Sequence, residues 1–392
     1  MNHSDEIIFT IFVIFTGAAV LATLALYARQ TLLIAYIALG IILGPSALGV
    51  VENHDFIQQV SDIGIMFLLF LLGLSLNPNK LLGLLKDATL HTVISSIIFI
   101  LAGYAFAYAL GFSHIECLVI AGSMAFSSTI IGLKLLPTTV LHHKHTGEVI
   151  VSILLLQDMI AIFMLLLLHS RADTSQAASG DLLQLIIALP VLIIFTLLFS
   201  RYVLSYLFRK FDKILEYVFL VAIGWCLGIS ELSALVGLSH EIGAFIAGVS
   251  IATGPISLFI AESLKPLRDF FLIIFFFAIG ASFQLDVLSE VILPACIIAG
   301  VMMILKPVTF KYLLYKFGNE EEKTANEIGY RIGQLSEFSI LLGALALNVS
   351  VIGEKAAYLI HVATIITFVL SSYIVVLRFP TPIAISDRLR RD

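Results

Sequence analysis

The sequence predicts an all-α integral membrane protein with about thirteen transmembrane helices. Three observations lead to this fold class. Of the 392 residues, 60% are hydrophobic and only 12% are charged, which is about half the charged share of a soluble domain. The mean hydropathy is +1.06. Apolar stretches long enough to cross a bilayer recur along the whole chain, separated by short polar breaks. The few scattered basic residues and the net charge of -5 give no indication of nucleic-acid binding.

The first apolar run, at about residues 7–27, is interpreted as a retained span and not as a signal peptide. The residues before it include Asp5 and Glu6 but no Lys or Arg, whereas a signal peptide begins with basic residues. Along the chain we expect spans at about 7–27, 32–48, 57–76, 88–111, 115–136, 147–169, 183–207, 213–229, 233–252, 267–285, 289–315, 325–348 and 356–378.

The basic residues of the connecting loops fit this count and give the chain an orientation. Cytoplasmic loops of membrane proteins carry an excess of Lys and Arg. With the N-terminus outside, only Arg171 and Lys355 fall in outer loops. The positions that fall inside are Arg29, Lys80, Lys86, Lys134, Lys144, Arg201, Arg209, Lys210, Lys213, Lys265, Arg268, Lys311, Lys316, Lys323, Arg388, Arg390 and Arg391. The sequence therefore predicts an extracytoplasmic N-terminus and a cytoplasmic C-terminus.

Two short patterns each occur twice, which indicates an internal repeat. Residues 67–75 (FLLFLLGLS) resemble residues 274–282 (IFFFAIGAS), and the run Ser127-Ser128-Thr129 has a counterpart at 333–336 (GQLS). The offset is about seven spans, an odd number, so the second copy is expected upside down in the membrane. Inverted repeats are the architecture of secondary transporters, although apolar sequences also resemble one another by chance.

Ionisable residues at membrane depth cost about 2.5–3.5 kcal/mol or more unless they are paired or hydrated, so they are the main functional candidates. Asp158 follows Gln157 in the middle of an apolar span. A carboxylate is both an oxygen ligand for an alkali cation and a proton acceptor, so one site can hold either ion in turn. The alternative is a permanently protonated Asp158 that only ties two helices together.

Lys306 lies a turn or more deeper in its span than Lys311 and Lys316, which mark the inner end. Its long side chain either reaches back to the interface or stays buried and needs a partner. Because Asp158 is the obvious partner, we predict that Lys306 is the counter-charge of Asp158.

Polar interruptions in two spans are expected to break both helices, which then cross near the middle of the membrane. Ser127–Thr129 offer hydroxyl groups at one interruption, either as cation ligands or only as packing contacts. Gln334, Ser336 and Glu337 interrupt the other span. Because the ends of half-helices carry partial charges, we expect Glu337 to compensate charge at the crossover rather than to bind the cation.

Three further features carry less functional weight. Glu241 lies in an apolar span, either at depth or near an interface. The cluster His142-His143-Lys144-His145 has no accompanying Cys or carboxylate, so a solvated inner loop is a simpler interpretation than a metal or pH-sensing tract. Cys117, Cys226 and Cys296 are expected to be small core residues and not disulfide partners or metal ligands.

The chain resembles the Kef-type branch of the monovalent cation:proton antiporters over essentially its whole length. The order and spacing of several motifs carry this resemblance, and no single motif is specific. The motifs are 40–46 (GIILGPS), 67–74 (FLLFLLGL), Ser127-Ser128-Thr129, Gln157-Asp158, 242–248 (IGAFIAG), 275–280 (FFFAIG) and 333–338 (GQLSEF).

The resemblance implies a sodium/proton antiporter-like fold with a core domain, a dimerisation domain and two broken helices that cross in the core. It implies an elevator-like movement of a homodimer in the bacterial cytoplasmic (inner) membrane. On this pattern Asp158 matches the cation- and proton-binding aspartate, Lys306 the basic residue of the core, and Glu337 the acidic residue at the crossover. Gln157, which we also expect in the cation- and proton-binding site, stands where related sodium exchangers carry Asn or Asp. The single carboxylate argues against a two-proton stoichiometry.

We assign residues 1–380 to the transmembrane domain, with core helices at about 57–169 and 289–378 and the remaining helices in the dimerisation domain. Residues 381–392 are the expected cytoplasmic tail. Kef potassium efflux systems usually carry a nucleotide-binding domain after the last span, but no G-x-G-x-x-G fingerprint occurs here. We therefore expect no nucleotide site and no cofactor, and either a separate cytosolic regulatory subunit or a C-terminal regulatory domain that this chain lacks.

The predicted function is secondary active exchange of a monovalent cation for protons by alternating access, with the cation bound at Asp158. The sequence does not favour potassium over sodium, since both use oxygen ligands. The alternative, a proton- or ligand-gated cation channel, would need a filter-like motif. An intramembrane enzyme would need a nucleophile–base pair or a metal motif such as H-E-x-x-H. The sequence contains neither pattern.

Overall fold

The structure, a computed structural model, describes residues 3–28, 30–51, 54–75, 78–136, 145–172, 180–254, 256–283, 285–318 and 320–381. These residues form α-helices joined by short connections. In chain order the helices are α1 (His3–Tyr27), α2 (Leu32–Leu43), α3 (His54–Ser75), α4 (Pro78–Ala109), α5 (His114–Ala125), α6 (Thr129–Lys134), α7 (His145–Ala172), α8 (Gly180–Phe199), α9 (Ser205–Phe211), α10 (Leu215–Leu235), α11 (His240–Ile251), α12 (Ser257–Ala281), α13 (Leu285–Phe317), α14 (Glu322–Arg331), α15 (Glu337–Asn348) and α16 (Glu354–Arg378). A π-helical turn at Ser200–Leu204 joins α8 to α9.

The predicted all-α membrane fold is confirmed. Every span expected from the sequence coincides with one or more of these helices, and the spans at 115–136 and 325–348 each consist of two short helices. Among the described residues, seven helices are long and apolar enough to cross a membrane by themselves, and shorter apolar helices accompany them. The observed helix boundaries differ from the predicted ones where a helix extends beyond its apolar run. Helix α4 begins at Pro78 and not near residue 88, because hydropathy marks the part of a helix that suits lipid and not the helix itself.

The chain packs into two compact units. Unit 1 comprises Met1–Phe15, Ile42–Gly83 and His169–Ala281, and unit 2 comprises Thr16–Ile41, Leu84–Leu168 and Ser282–Asp392. The predicted assignment of helices to a core domain and a dimerisation domain concerns their function and stays a prediction. The expected tail beyond Thr381 lies outside the described residues.

In unit 1, two glycine motifs of the sequence meet at a helix crossing, where α3 packs against α11. A side chain at Gly73 would collide with the α11 backbone at Phe245, and one at Gly248 would collide with the α3 backbone at Phe70. The two helices therefore touch backbone to backbone, which small residues permit between membrane helices.

In unit 2, α13 packs against α14 and α16 and carries Pro307 where it meets α14. A Cβ atom at Gly329 would lie 2.7 Å from the carbonyl oxygen of Pro307, and one at Gly333 would lie 2.9 Å from its Cγ. These two glycines, about one turn apart, let α14 approach α13 closely. The approach brings Lys306, the residue before this proline, to the end of α14.

Candidate cation and proton site

Both polar interruptions break their helices, as the sequence predicts. Helix α5 ends at Ala125, Phe126 is extended (φ -90°, ψ 153°), and α6 begins at Thr129. In the other span α14 ends at Arg331 and α15 begins at Glu337.

Serine side chains cap the two restarted helices. The Ser128 Oγ accepts a hydrogen bond from the N–H of Ile131 at 3.1 Å, and the Ser336 Oγ accepts one from the N–H of Phe338 at 3.1 Å. A serine oxygen here satisfies an N–H group that has no acceptor within its own helix. In each span, the polar run at which the first half-helix ends therefore also caps the start of the second half-helix.

The two broken spans cross at their interruptions and run in opposite directions. The N–H of Ser128 donates to the carbonyl oxygen of Leu335 at 3.0 Å, and the hydroxyl of Ser339 donates to the carbonyl oxygen of Ser123. Residue numbers rise along one span while they fall along the other, as an inverted repeat requires. The side-chain amide of Gln334 adds a hydrogen bond to the carbonyl oxygen of Ser128 at 3.3 Å.

Asp158 lies on α7 beside the crossing, and it is 1% exposed. Its Oδ2 accepts a hydrogen bond from Thr129 Oγ1 at 3.0 Å. Its Oδ1 is buried and has no hydrogen-bond partner among the described residues. A buried carboxylate oxygen without a donor is costly unless a proton or a cation binds it. The predicted ion-binding residue therefore lies beside the crossing with one oxygen available for an ion.

Gln157 and Ser127 extend the polar surroundings of this carboxylate. The N–H of Ser127 donates to Gln157 Oε1 at 3.0 Å, which fixes the interrupted segment to α7. The Ser127 Oγ and the Gln157 Nε2 are buried, and within the described part of the chain neither has a partner. Hydroxyl and carboxylate oxygens are the ligands that hard cations prefer. The segment after α5 and helix α7 together therefore offer suitable donor atoms for an alkali cation.

Lys306 is fully buried on α13, in agreement with its deep position in the span. Its ammonium group donates to the carbonyl oxygens of Phe126 and Gln334, the latter at 3.1 Å. It also lies 5.2 Å from the centroid of the Phe99 ring. Where the structure describes the chain, no ion pair joins Lys306 to Asp158, because the ammonium group faces main-chain oxygens instead. The predicted role as counter-charge would therefore act without direct contact, and it stays a prediction.

Glu337 is the first residue of α15 and is 4% exposed. Its carboxylate lies within electrostatic range of the Asp158 carboxylate. A negative charge in the first turn of a helix is stabilised by the helix dipole. The residue thus stands where charge compensation was predicted, and the role itself stays a prediction.

The charges around the crossing match the helix ends that they face. The Lys306 ammonium binds carbonyl oxygens just beyond the C-terminal ends of α5 and α14, which are the negative ends of these helices. Asp158 and Glu337 lie at the starts of α6 and α15, which are the positive ends. Buried charges need such compensation because water does not solvate them.

The last span has a polar face that the sequence analysis does not single out. The Thr367 Oγ1 accepts a hydrogen bond from the N–H of Leu335 at 3.1 Å, and the Ser371 Oγ donates to Gln334 Oε1 at 3.0 Å. Both hydroxyls are buried on α16. Thr364, Thr367 and Ser371 recur every three or four residues, and this spacing is the signal that marks one helix face.

Arg331 is a second buried polar residue that the sequence analysis does not single out. Its side chain is 1% exposed and pairs with Glu327 at 2.8 Å. The guanidinium donates to the carbonyl oxygens of Leu135 at 3.0 Å and Pro380 at 2.9 Å. Arg331 therefore ties the segments that follow α6 and α16 to the end of α14.

The remaining candidates lie away from the crossing in sequence. Glu241 lies in the first turn of α11 and is partly exposed, so it is near a helix end and not in the middle of a helix.

The cluster His142–His145 lies outside the described residues except for His145, which begins α7. Cys117 and Cys226 are buried as predicted, but the prediction for Cys296 is wrong, because this side chain is exposed on α13.

The sequence matches a protein family described as "Sodium/hydrogen exchanger, transmembrane" over residues 11–377. K(+) efflux antiporter 4 of Arabidopsis thaliana is 28% identical over 86% of this chain and 58% of that protein. The putative cation/proton antiporter YbaL of Escherichia coli (strain K12) is 24% identical over 95% of this chain and 68% of that protein. The iron transporter MagA of Paramagnetospirillum magneticum is 24% identical over 88% of this chain and 79% of that protein. This chain thus spans little more than half the length of the plant relative.

A solved structure shows the same fold. The sodium proton antiporter MjNhaP1 from Methanocaldococcus jannaschii at pH 8 matches with a TM-score of 0.65 at 15% identity, over 95% of this chain and 99% of that one. At this identity the likeness establishes the fold alone, which is the antiporter fold expected from the sequence.

Proposed function

Because the chain belongs to the sodium/hydrogen exchanger family, we propose that it exchanges a monovalent cation, potassium or sodium, for protons by alternating access. One observation carries this proposal. The buried Asp158 carboxylate has one oxygen held by Thr129 and the other without a partner among the described residues. A buried carboxylate of this kind binds either a proton or a cation.

Competition between the two ions at Asp158 couples their movements. When the carboxylate is charged, its Oδ1 attracts a cation, and the hydroxyl oxygens of Ser127 and Thr129 supply further ligands of the same chemical type. When a proton binds instead, the negative charge that attracted the cation is gone. A site that opens alternately to the two sides of the membrane then carries cations in one direction and protons in the other.

Lys306 and Glu337 are proposed to support this site without binding the transported cation. The Lys306 ammonium joins the two interrupted segments. Its positive charge is the proposed counter-charge of Asp158 when no cation is bound. Glu337 compensates the dipole of α15, as its place in the first turn suggests.

The names of the similar proteins include both cations, potassium for the Arabidopsis protein and sodium for MjNhaP1. The choice between them depends on cavity size around the same oxygen ligands, so the proposal includes both. The proposed setting is a homodimer in the bacterial inner membrane with an extracytoplasmic N-terminus, which the loop charges and the family resemblance support.

Proton flux in liposomes that contain the purified protein tests this proposal. Gradients of potassium, sodium and choline are imposed in separate experiments, and the internal pH is followed with a fluorescent dye. We expect potassium, sodium or both to drive proton movement that saturates with cation concentration, and choline to drive none. Cation flux that neither saturates nor moves protons would instead identify a channel.

A further inference from the structure

A cavity in unit 1 presents two arginine side chains, and none of its lining residues belongs to the crossing. It has a volume of about 740 Å³ and is formed by α8, the π-helical turn, α9 and the end of α11. This volume lies within the roughly 300–1,000 Å³ of small-ligand sites. Arg201 and Arg209 both line it. Neither guanidinium is in an ion pair with a described residue.

The π-helical turn brings these arginines toward one side of their helix. In a continuous α-helix, Arg201 and Arg209 would lie about 80° apart around the axis, since each residue turns by about 100°. A π-helical turn winds less per residue and reduces this angle. The Ser200 Oγ donates to the carbonyl oxygen of Ser250 at 2.8 Å, and the Ser205 Oγ donates to the carbonyl oxygen of Ser200 at 2.9 Å. These bonds hold the turn in place, and such turns occur frequently at functional sites.

The wall of the cavity is fixed from behind by a buried network. The Trp225 Nε1 donates to the Ser250 Oγ at 3.2 Å, and the Trp225 ring stacks on Phe199 with centroids 5.2 Å apart. Thr253 adds a hydroxyl group to the lining. The arginines therefore stand on a preformed surface that also offers a neutral hydrogen-bond donor.

The balance of charge at the cavity favours an anion. Asp212 also lines it, so two guanidinium groups face one carboxylate. Guanidinium groups bind the oxygens of a phosphate through two parallel hydrogen bonds, which makes arginine pairs suitable for phosphate groups.

We propose that this cavity binds the phosphate group of an anionic membrane phospholipid. The sequence predicts that Arg201 and Arg209 lie on the cytoplasmic side, where anionic lipid headgroups attract basic residues. On the same helical segment Tyr202, Val203 and Tyr206 are exposed and provide an apolar surface for acyl chains. A free phosphate ion would use the arginines but not this surface.

Lipid binding to the intact, detergent-purified protein tests the proposal by native mass spectrometry. Phosphatidylglycerol, phosphatidylcholine and inorganic phosphate are titrated separately. We expect phosphatidylglycerol to bind the wild type about tenfold or more tightly than phosphatidylcholine. The double variant Arg201→Gln/Arg209→Gln should weaken phosphatidylglycerol binding about tenfold or more. The control Lys213→Gln/Lys316→Gln removes the same charge from exposed positions that do not line the cavity, and it should retain binding.

Equal phosphatidylglycerol binding by the double arginine variant and the wild type would overturn the site, as would equal binding of the two lipids. If inorganic phosphate binds but phosphatidylglycerol binds no more tightly than phosphatidylcholine, the phosphate group at this site does not come from a lipid. If the double variant does not elute as a folded protein, the single variants Arg201→Gln and Arg209→Gln decide the matter. Each should weaken phosphatidylglycerol binding, and unchanged binding in both overturns the proposal.

Discussion

At the scale of single residues, Lys306 binds two carbonyl oxygens that their own helices leave without donors, those of Phe126 and Gln334. Both belong to interrupted segments, where the regular helical hydrogen bonds have ended. One ammonium group therefore satisfies both segments and joins them. On this geometry Lys306 stabilises the crossing itself, in addition to any influence of its charge on Asp158.

Replacing Lys306 with Met should destabilise the protein by about 2–5 kcal/mol, because two buried carbonyl groups lose their donor. Met preserves much of the side-chain volume, so a new cavity would explain little of the loss. Thermal unfolding in detergent should show a clearly lower Tm for Lys306→Met. The exposed lysine at the end of the same helix provides the control, and Lys316→Met should leave the Tm unchanged. Equal Tm values for the two variants would contradict the structural role of Lys306.

Glu337→Gln should preserve cation–proton exchange while it lowers stability by about 0.3–1 kcal/mol, because the proposed role of this carboxylate is to compensate a helix dipole. Exchange rates in proteoliposomes and Tm are measured on the same preparation. Glu354 is likewise the first residue of a helix, but it is exposed, so Glu354→Gln should change stability less. Loss of exchange in a folded Glu337→Gln protein would place Glu337 in the ion-binding site instead.

The sequence identifies which charges are buried but not all of their contacts. Asp158, Lys306 and Glu337 are conspicuous because each interrupts an apolar span, where a charge is costly. The partners of Lys306 are main-chain oxygens, which every residue carries, so no residue type marks them. Only the approach of α14 to α13 at Gly329 and Pro307 decides which carbonyl groups the ammonium reaches.

At the scale of helices, the crossing of α3 and α11 depends on the absence of side chains at Gly73 and Gly248. Van der Waals packing is the main attraction between membrane helices, and it increases as the backbones approach. The two glycine motifs therefore have a packing explanation that is independent of ion transport.

Gly248→Ala should lower the free energy of unfolding by about 1–3 kcal/mol, because the added methyl group overlaps the backbone of α3 at Phe70. The matched control is Gly224 on α10, where an added Cβ meets no atom within 4 Å. Gly224→Ala should leave stability unchanged or raise it by about 0.5–1 kcal/mol, as is usual for this change inside a helix. Thermal unfolding measures both variants, and equal stability of the two would refute the close crossing.

Local signals explain why the helix breaks were predictable and the π-helical turn was not. The breaks follow from polar runs such as Ser127–Thr129, which interrupt an apolar span in the sequence itself. The turn at Ser200–Leu204 is anchored by a hydrogen bond from Ser200 to Ser250, fifty residues away. Nothing in the local sequence identifies a partner at that separation.

At the scale of the whole molecule, the order of about thirteen spans could be predicted because the bilayer acts on local length and apolarity. The composition of the two units could not, because it depends on contacts between distant segments. Unit 1 combines Ile42–Gly83 with His169–Ala281, and unit 2 contains the segments on either side of the latter.

Labelling of introduced cysteines tests the predicted orientation. Ser175, outside the described residues, lies in the predicted outer loop, and Lys265, which is 54% exposed, lies in a predicted inner loop. Each is replaced by cysteine in a Cys296→Ser background, since Cys296 is exposed. A membrane-impermeant thiol reagent should label position 175 in intact cells and position 265 only after permeabilisation. The reverse pattern would refute the predicted orientation.

In the proposed exchange mechanism one carboxylate, that of Asp158, carries cation and proton in turn. The most direct test is cation-driven proton flux in proteoliposomes with wild type, Asp158→Asn and Asp269→Asn. Asn preserves the shape of the side chain but cannot carry its charge, whereas Asp269 is an exposed carboxylate paired with Arg268. Asp158→Asn should reduce coupled flux to the level of protein-free liposomes, and Asp269→Asn should retain the wild-type rate. Wild-type flux in folded Asp158→Asn protein would show that Asp158 is not the carrier and place the carrier site elsewhere.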